Sequence, residues 1–143
     1  MNFSISKSKQ HSSEAGFTLV ELLVVMGIIA LLAALVAPQV IKYLGSARSE
    51  TASVQLKNIE SALELYYLDT GKYPGELQSL VDAPAGDTDW RGPYLKKSTA
   101  LNDPWGKPYI YVLPGEHGSF DLSSLGRNGA AGGDGEDRDL LSW

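Results

Sequence analysis

Between Leu22 and Ile41 lie twenty consecutive residues without a charged side chain, LLVVMGIIALLAALVAPQVI. A helix rises about 1.5 Å per residue, so a run of that length spans roughly 30 Å, the thickness of a bilayer's hydrocarbon core. Its apolar residues lie all round the helix rather than along one stripe, the pattern of a segment that faces lipid or is wholly buried. A secretory signal peptide carries a shorter apolar region, about 7–15 residues, closed by a small-residue cleavage site. The stretch Ala33–Ala37 imitates such a site, but the length favours a retained membrane helix. Lys7 and Lys9 precede the run while Lys42 and Arg48 follow it, so the positive-inside rule leaves the orientation tied.

The rest of the chain is short and acidic. Its 143 residues allow one domain of ordinary size. Lys and Arg number 12 against 17 Asp and Glu, a net charge of -5, which argues against a nucleic-acid partner because phosphate binding needs clustered cations. The absence of cysteine removes disulfides, zinc–thiolate sites, iron–sulfur clusters and thiol catalysis together. Two histidines, His11 and His117, are too few and too far apart in sequence for a His-rich metal site. Composition therefore argues against an enzyme.

Glu21 is out of place at the entrance to the apolar run. An ionised carboxylate entering a bilayer costs on the order of a few kcal/mol unless it is paired or neutralised. It either stays at the headgroup interface or meets a cation from another molecule or a freed chain terminus. Gly16-Phe17-Thr18-Leu19-Val20-Glu21 followed by the apolar run resembles the processing motif of type IV pilins and pseudopilins. The resemblance implies that a membrane peptidase cuts between Gly16 and Phe17 and methylates the new amino group of Phe17. Residues 1–16 would then be a leader held in the cytoplasm, which breaks the topological tie. It also implies an assembly role for Phe17 and Glu21, the Glu21 carboxylate meeting the N-terminal ammonium of a neighbouring subunit. Coulomb attraction in a low-dielectric surrounding would offset desolvation and set register.

Residues 17–41 are thus expected to form a membrane and assembly helix, with Gly27 and Pro38 as its weak points and a bend near Pro38. In pilin-like filaments the stretch between such positions can melt and lengthen the fibre. Beyond Ile41 the pattern turns amphipathic. Ala52, Leu56, Ile59, Leu63 and Tyr66 fall on one face at helical spacing, with Lys57, Glu60 and Glu64 off it. One helix from about Phe17 to Asp69 is expected, residues 42–70 being its amphipathic continuation and Gly71 its stop. Residues 71–143 form the globular part. A short helix is expected from about Glu76 to Val81, a loop over 82–94 and a turn at Asn102–Pro108. A strand follows at Tyr109–Val112, and its partner at Ser119–Ser123. The fold class is α+β, a helical spine packed on a small antiparallel sheet.

Trp90, Trp105 and Trp143, with Tyr94, Tyr109, Tyr111 and Phe120, are read as anchors of the minor core. The acidic balance makes an aromatic platform for single-stranded nucleic acid a poor rival. Asp103-Pro104-Trp105-Gly106, Tyr109, Tyr111, Pro114-Gly115, Phe120-Asp121-Leu122 and Ser124-Leu125-Gly126 resemble the major pseudopilins of type II secretion systems, the general secretion pathway protein G family. Together with the N-terminal motif the resemblance covers Gly16 to Trp143. Type IV pilins share the beginning but usually close the C-terminal loop with a disulfide, which this chain cannot form.

A domain this small often needs a staple. The segment 125–139 is Gly-rich and carries the oxygen donors Asn128, Asp134, Glu136, Asp137 and Asp139, a set of hard ligands suited to calcium. Spacing by itself reads as a disordered acidic tail, and it does not fit an EF-hand. The family resemblance implies a calcium in the C-terminal loop 125–143. The matching positions are the carbonyl of Leu125 and the side chains of Asn128, Asp137 and Asp139, with backbone oxygens near Ser142 as additions. Asn128 stands where the family usually has Asp, and Arg127 beside it adds a positive charge, both of which lower affinity for Ca2+. On that reading chelation destabilises the domain.

The resemblance implies a structural subunit that polymerises into a periplasmic pseudopilus and drives folded proteins across the outer membrane. Its expected partners are copies of itself, minor pseudopilins, an inner-membrane assembly platform with a cytoplasmic ATPase, the prepilin peptidase, and membrane lipid before assembly. The expected location is the bacterial inner membrane, single-pass, with the N-terminus cytoplasmic and the C-terminal domain periplasmic. A type IV pilin of a surface fibre is the alternative. Catalysis by His117, Ser119 and Asp121 is set aside, since neighbours on a strand alternate faces and nothing resembles an oxyanion arrangement.

Overall fold

The structure, a computed structural model, describes residues 16–143. The expected leader lies outside the described residues except for Gly16. The described residues divide into two compact units, 16–39 and 40–143.

Helix α1 (Leu19–Thr70) contributes to both units and continues through Pro38. In the first unit every described residue is exposed, and no part of its most apolar window is buried by other protein. A water-soluble protein rarely leaves so large an apolar surface uncovered, whereas a lipid-facing helix must. The expected bounds differ from the observed helix by two residues at the start, because Thr18 caps it. At the other end the Gly71 N–H bonds the Tyr67 carbonyl at 2.8 Å with φ at +73°, a left-handed stop open to glycine at no steric cost.

The second unit is built on the buried face of α1. Ala52, Leu56, Ile59, Leu63 and Tyr66 are all buried there as their spacing predicts, with Ala62 filling the same face. Strands β1 (Ile110–Val112), β2 (Asp121–Ser124) and β3 (Leu140–Leu141) form an antiparallel sheet in the order β1-β2-β3. Tyr111 pairs with Leu122 and Ser124 with Leu140. Leu122 on the central strand, Leu140, Tyr109 and Leu80 complete the core. Burying each Leu or Ile side chain of this set contributes about 1.5–3 kcal/mol. The expected short helix is a 3-10 turn at Leu77–Leu80, and two more such turns lie at Ser98–Leu101 and Gly135–Asp137. β2 begins two residues later than the expected partner strand, and β3 falls where only a loop was expected.

Aromatic hydroxyls and one indole fasten the long connection to the helix, to β1 and to itself. Tyr66 donates to Asp87, Tyr94 to Asp69, Tyr73 to Glu64 and Tyr111 to the Pro74 carbonyl, while the Trp90 N–H bonds the Ser79 carbonyl. Trp90 and Trp105 pack on the core as expected. Trp143 does not: it is half exposed and stacks on the His117 ring at 4.2 Å.

Asp103 organises the turn before β1. Its Oδ1 accepts the Trp105 and Lys107 N–H groups at 3.1 and 2.9 Å, and its Oδ2 accepts the Ser124 hydroxyl at 2.7 Å. The carboxylate is buried, so deleting it orphans its donors. Asp103→Ala is expected to cost about 3 kcal/mol, read from urea unfolding of the detergent-solubilised chain; a loss below about 1 kcal/mol would contradict this role. Burial, and then neighbouring Tyr73 and Tyr66, push the Tyr111 hydroxyl up to about 12, against about 10 for an unfolded tyrosine. The folded state holds this proton more tightly, so stability is full below the unfolded value and falls as pH rises towards the folded one. Urea midpoints should therefore drop between about pH 9 and about pH 11.5, and Tyr111→Phe should flatten part of that drop.

Candidate functional site

At the start of α1 the chain makes its own partner for Glu21. The Glu21 Oε2 accepts the Thr18 backbone N–H at 3.0 Å and the Thr18 hydroxyl at 3.2 Å. In return the Thr18 Oγ1 accepts the Glu21 N–H at 3.2 Å. This is a capping box: Thr18 is the N-cap, Glu21 the third helical residue, and two otherwise orphaned donors are satisfied reciprocally. The carboxylate also sits at the positive end of the helix dipole. Thr18-x-x-Glu21 is the sequence signal for this box, and it was missed because Glu21 was weighed as a charge at the membrane rather than as a cap.

The box uses one carboxylate oxygen. Oε1 has no hydrogen bond among the described residues, and the whole group is exposed, open to a cation. Gly16 and Phe17 precede the helix; Phe17 is 81% exposed, and nothing lies within 4 Å of where a Gly16 side chain would start. The expected scissile bond is therefore non-helical and accessible, one residue before the N-cap. A terminus created at Phe17 would lie four residues before Glu21, the residue it is expected to meet in a neighbour.

The second candidate region is the C-terminal loop. Asp137, expected as a calcium ligand, is gripped by Arg127: Nε meets Oδ1 at 2.9 Å and Nη2 meets Oδ2 at 3.0 Å. The guanidinium holds the Asp137 carboxyl below the usual carboxylate range. Asn128 Oδ1 accepts the Ala130 N–H at 3.0 Å. Asp139 Oδ2 accepts the Gly132 N–H at 2.9 Å, while its Oδ1 is buried without a partner among the described residues. The Lys107 ammonium lies on the Arg127 carbonyl at 2.6 Å and the Gly126 carbonyl at 3.5 Å. In this loop Asp139 Oδ1 is thus left with room for a donor or a cation. Leu125, Asn128, Asp137 and Asp139 do not make a calcium site as they stand, because calcium takes about 6–8 oxygen ligands and the Asp137 carboxylate is already spent. Among the described residues no three His, Asp or Glu side chains come together as metal ligands.

Glu136 ties the same loop to α1. It accepts the Trp105 indole N–H at 3.2 Å, faces Arg48 at 3.9 Å and lies against Gly45, where a Cβ would come within 2.7 Å of it. Glu136 was counted among the loop oxygens without this role; a small residue on a buried helix face is too weak a signal to have found it. The triad set aside earlier is half assembled: His117 Nδ1 lies 3.0 Å from Asp121 Oδ2, and no hydrogen bond joins Ser119 to His117 among the described residues. Asp121 also accepts the Glu116 and His117 N–H groups, so it organises the turn before β2.

Residues 39–143 match the family model described as type II secretion system (T2SS), protein G, and residues 11–37 match that of the prokaryotic N-terminal methylation motif. A type II secretion system core protein G of Pseudomonas aeruginosa is 43% identical over 141 residues, covering 94% of this chain and 98% of that one. Proteins of the same name from Xanthomonas campestris and Escherichia coli are 37% and 39% identical, covering 96% and 91% of this chain and 95% and 91% of their own lengths. The crystal structure of the major pseudopilin from the type 2 secretion system of enterohaemorrhagic Escherichia coli superposes with a TM-score of 0.55 at 28% identity, over 68% of this chain and 87% of that one.

The capping box has its own test. Thr18→Ala removes the side-chain half of the cap, worth roughly 1 kcal/mol at a helix N-terminus. Amide hydrogen exchange over the first turn of α1 in micelles should quicken about fivefold, and unchanged protection would remove the box from the account.

Proposed function

The chain belongs to the type II secretion system protein G family, and from that premise we propose that it works as a structural subunit of a pseudopilus, by assembly rather than by catalysis. The observation that carries the reading is a lipid-length helix, exposed throughout its first unit, opening on a carboxylate with one oxygen uncommitted. In a bilayer the apolar residues face acyl chains. In a fibre they face sister helices of the same polarity, so leaving lipid for the polymer costs little hydrophobic free energy. The polar pair then decides where each subunit sits.

On this reading a prepilin peptidase removes residues 1–16 and methylates the amino group of Phe17. The chain rests in the inner membrane as a single span, N-terminus in the cytoplasm and second unit in the periplasm. An inner-membrane assembly platform extracts it into a homopolymer in which minor pseudopilins also take part. Growth of that fibre pushes folded proteins across the outer membrane. Glu21 serves twice: its Oε2 caps its own helix, and its Oε1 receives the Phe17 ammonium of a neighbour. The match over residues 39–143 favours this role over that of a surface pilin, whose likeness would rest on the first segment.

Glu21→Ala tests the reading in cells carrying the secretion machinery. The variant should still enter the membrane and lose its leader, its mass beginning at N-methylated Phe17, yet form no fibres and support little secretion. Normal secretion by this variant would overturn the pairing, and a retained leader in the unmutated protein would overturn the assignment of the cleavage site.

A further inference from the structure

The C-terminal loop carries seven glycines and alanines from Gly126 to Gly135, with almost nothing apolar to bury. Ordering such a chain costs conformational entropy, which some cross-link must offset. Two cationic side chains of the chain itself are placed to supply it. Arg127, at one end of the loop, makes a fork-to-fork pair with Asp137 near the other, and its Nη1 lies 3.5 Å from Glu136. The Arg127 N–H also bonds the Glu136 carbonyl at 2.8 Å, so backbone and side chain close the same ring. Paired planar forks of this kind are directional and stronger than ordinary hydrogen bonds.

Lys107 acts from outside the loop. Its backbone is fixed on both sides by Asp103, which accepts its N–H at 2.9 Å and donates to its carbonyl at 2.7 Å. From that anchored position the ammonium reaches the carbonyls of Gly126 and Arg127. It fills the space beside Gly129, where a Cβ would lie 2.5 Å from Nζ. An ammonium held over backbone carbonyls is what a bound cation would otherwise supply.

We propose that Arg127 and Lys107 take the place of a metal in this chain, closing the 125–139 loop with internal cations so that its folding does not require calcium. Asp137 cannot serve a divalent ion until it releases Arg127, and an ion entering there would meet two positive side chains. Of the expected side-chain ligands and the Leu125 carbonyl, only the Asp139 Oδ1, the neutral Asn128 amide (itself accepting the Ala130 N–H) and that carbonyl are then left, short of the usual six to eight. The proposal stands apart from the assembly reading, since it concerns how one subunit folds.

The test is thermal unfolding of the full detergent-solubilised chain in excess EGTA and in millimolar calcium. Tryptophan fluorescence is the readout, because the indole of Trp105 bonds Glu136 in the loop. The unmutated protein should melt at the same temperature in both, within about 2 °C; a larger fall on chelation overturns the proposal. Arg127→Ala should melt about 4 °C lower in EGTA, on the scale of roughly 4–8 °C per kcal/mol for a domain of this size. Calcium should recover part of that loss, because Asp137 is released to bind it. Lys107→Met keeps the stem and deletes the charge, and it too should melt lower in EGTA. If Arg127→Ala does not fold at all, Arg127→Lys, which keeps the charge and loses the fork, should melt below the unmutated protein in EGTA, and an unchanged melting temperature would overturn the proposal. Melting temperatures unchanged in both charge-deletion variants would overturn the proposal.

Discussion

A carboxylate at the mouth of an uncharged helix must have partners, and the rest of the architecture follows from where they come from. Within one chain Thr18 supplies two donors to a single oxygen of Glu21, and the helix dipole supplies a favourable field. That arrangement lets the helix start cleanly at Leu19. It also leaves the carboxylate half satisfied. A group with one oxygen engaged and one open can gain a cation without first losing its cap, so assembly need not undo the fold of the protomer. The twenty uncharged residues that follow make the position of this one charge consequential.

The second unit solves a different problem with the same helix. A small unit without cysteine has to hold a long, irregular connection and a Gly-rich end in place. It does so by polar ties to rigid elements: tyrosine hydroxyls to carboxylates and a carbonyl, Asp103 to its own turn and to Ser124, Glu136 to Trp105. Each tie is modest alone, about 1 kcal/mol net. Their common feature is that one partner is fixed by the core, so little extra ordering entropy is lost when the bond forms.

Elements with strong periodicity were legible in the sequence. The stripe Ala52, Leu56, Ile59, Leu63 and Tyr66 repeats at helical spacing and is buried as read, and the run at Tyr109–Val112 is a strand to within one residue. Elements defined by a few contacts were not. β3 has only Leu140 and Leu141, too short for any period, and it exists because Ser123 and Ser124 offer an open edge. Trp143 was expected in the core by its residue type, yet it lies over an imidazole at the surface. Glu21 was read for its charge and not as a helix cap, and Arg127 was read as a charge that weakens calcium binding, not as the partner of Asp137 ten residues on.

The central claim is that Glu21 is shared between its own cap and a sister chain. Solid-state NMR on fibres assembled from a mixture of two batches tests it most directly, one batch labelled with 15N at the Phe17 amine and the other with 13C at the Glu21 carboxyl. Dipolar coupling between the two labels, corresponding to a separation of about 3–4 Å, is the result expected. Fully assembled fibres showing no such coupling would contradict the account, because the subunits would then be held in register by something other than this carboxylate.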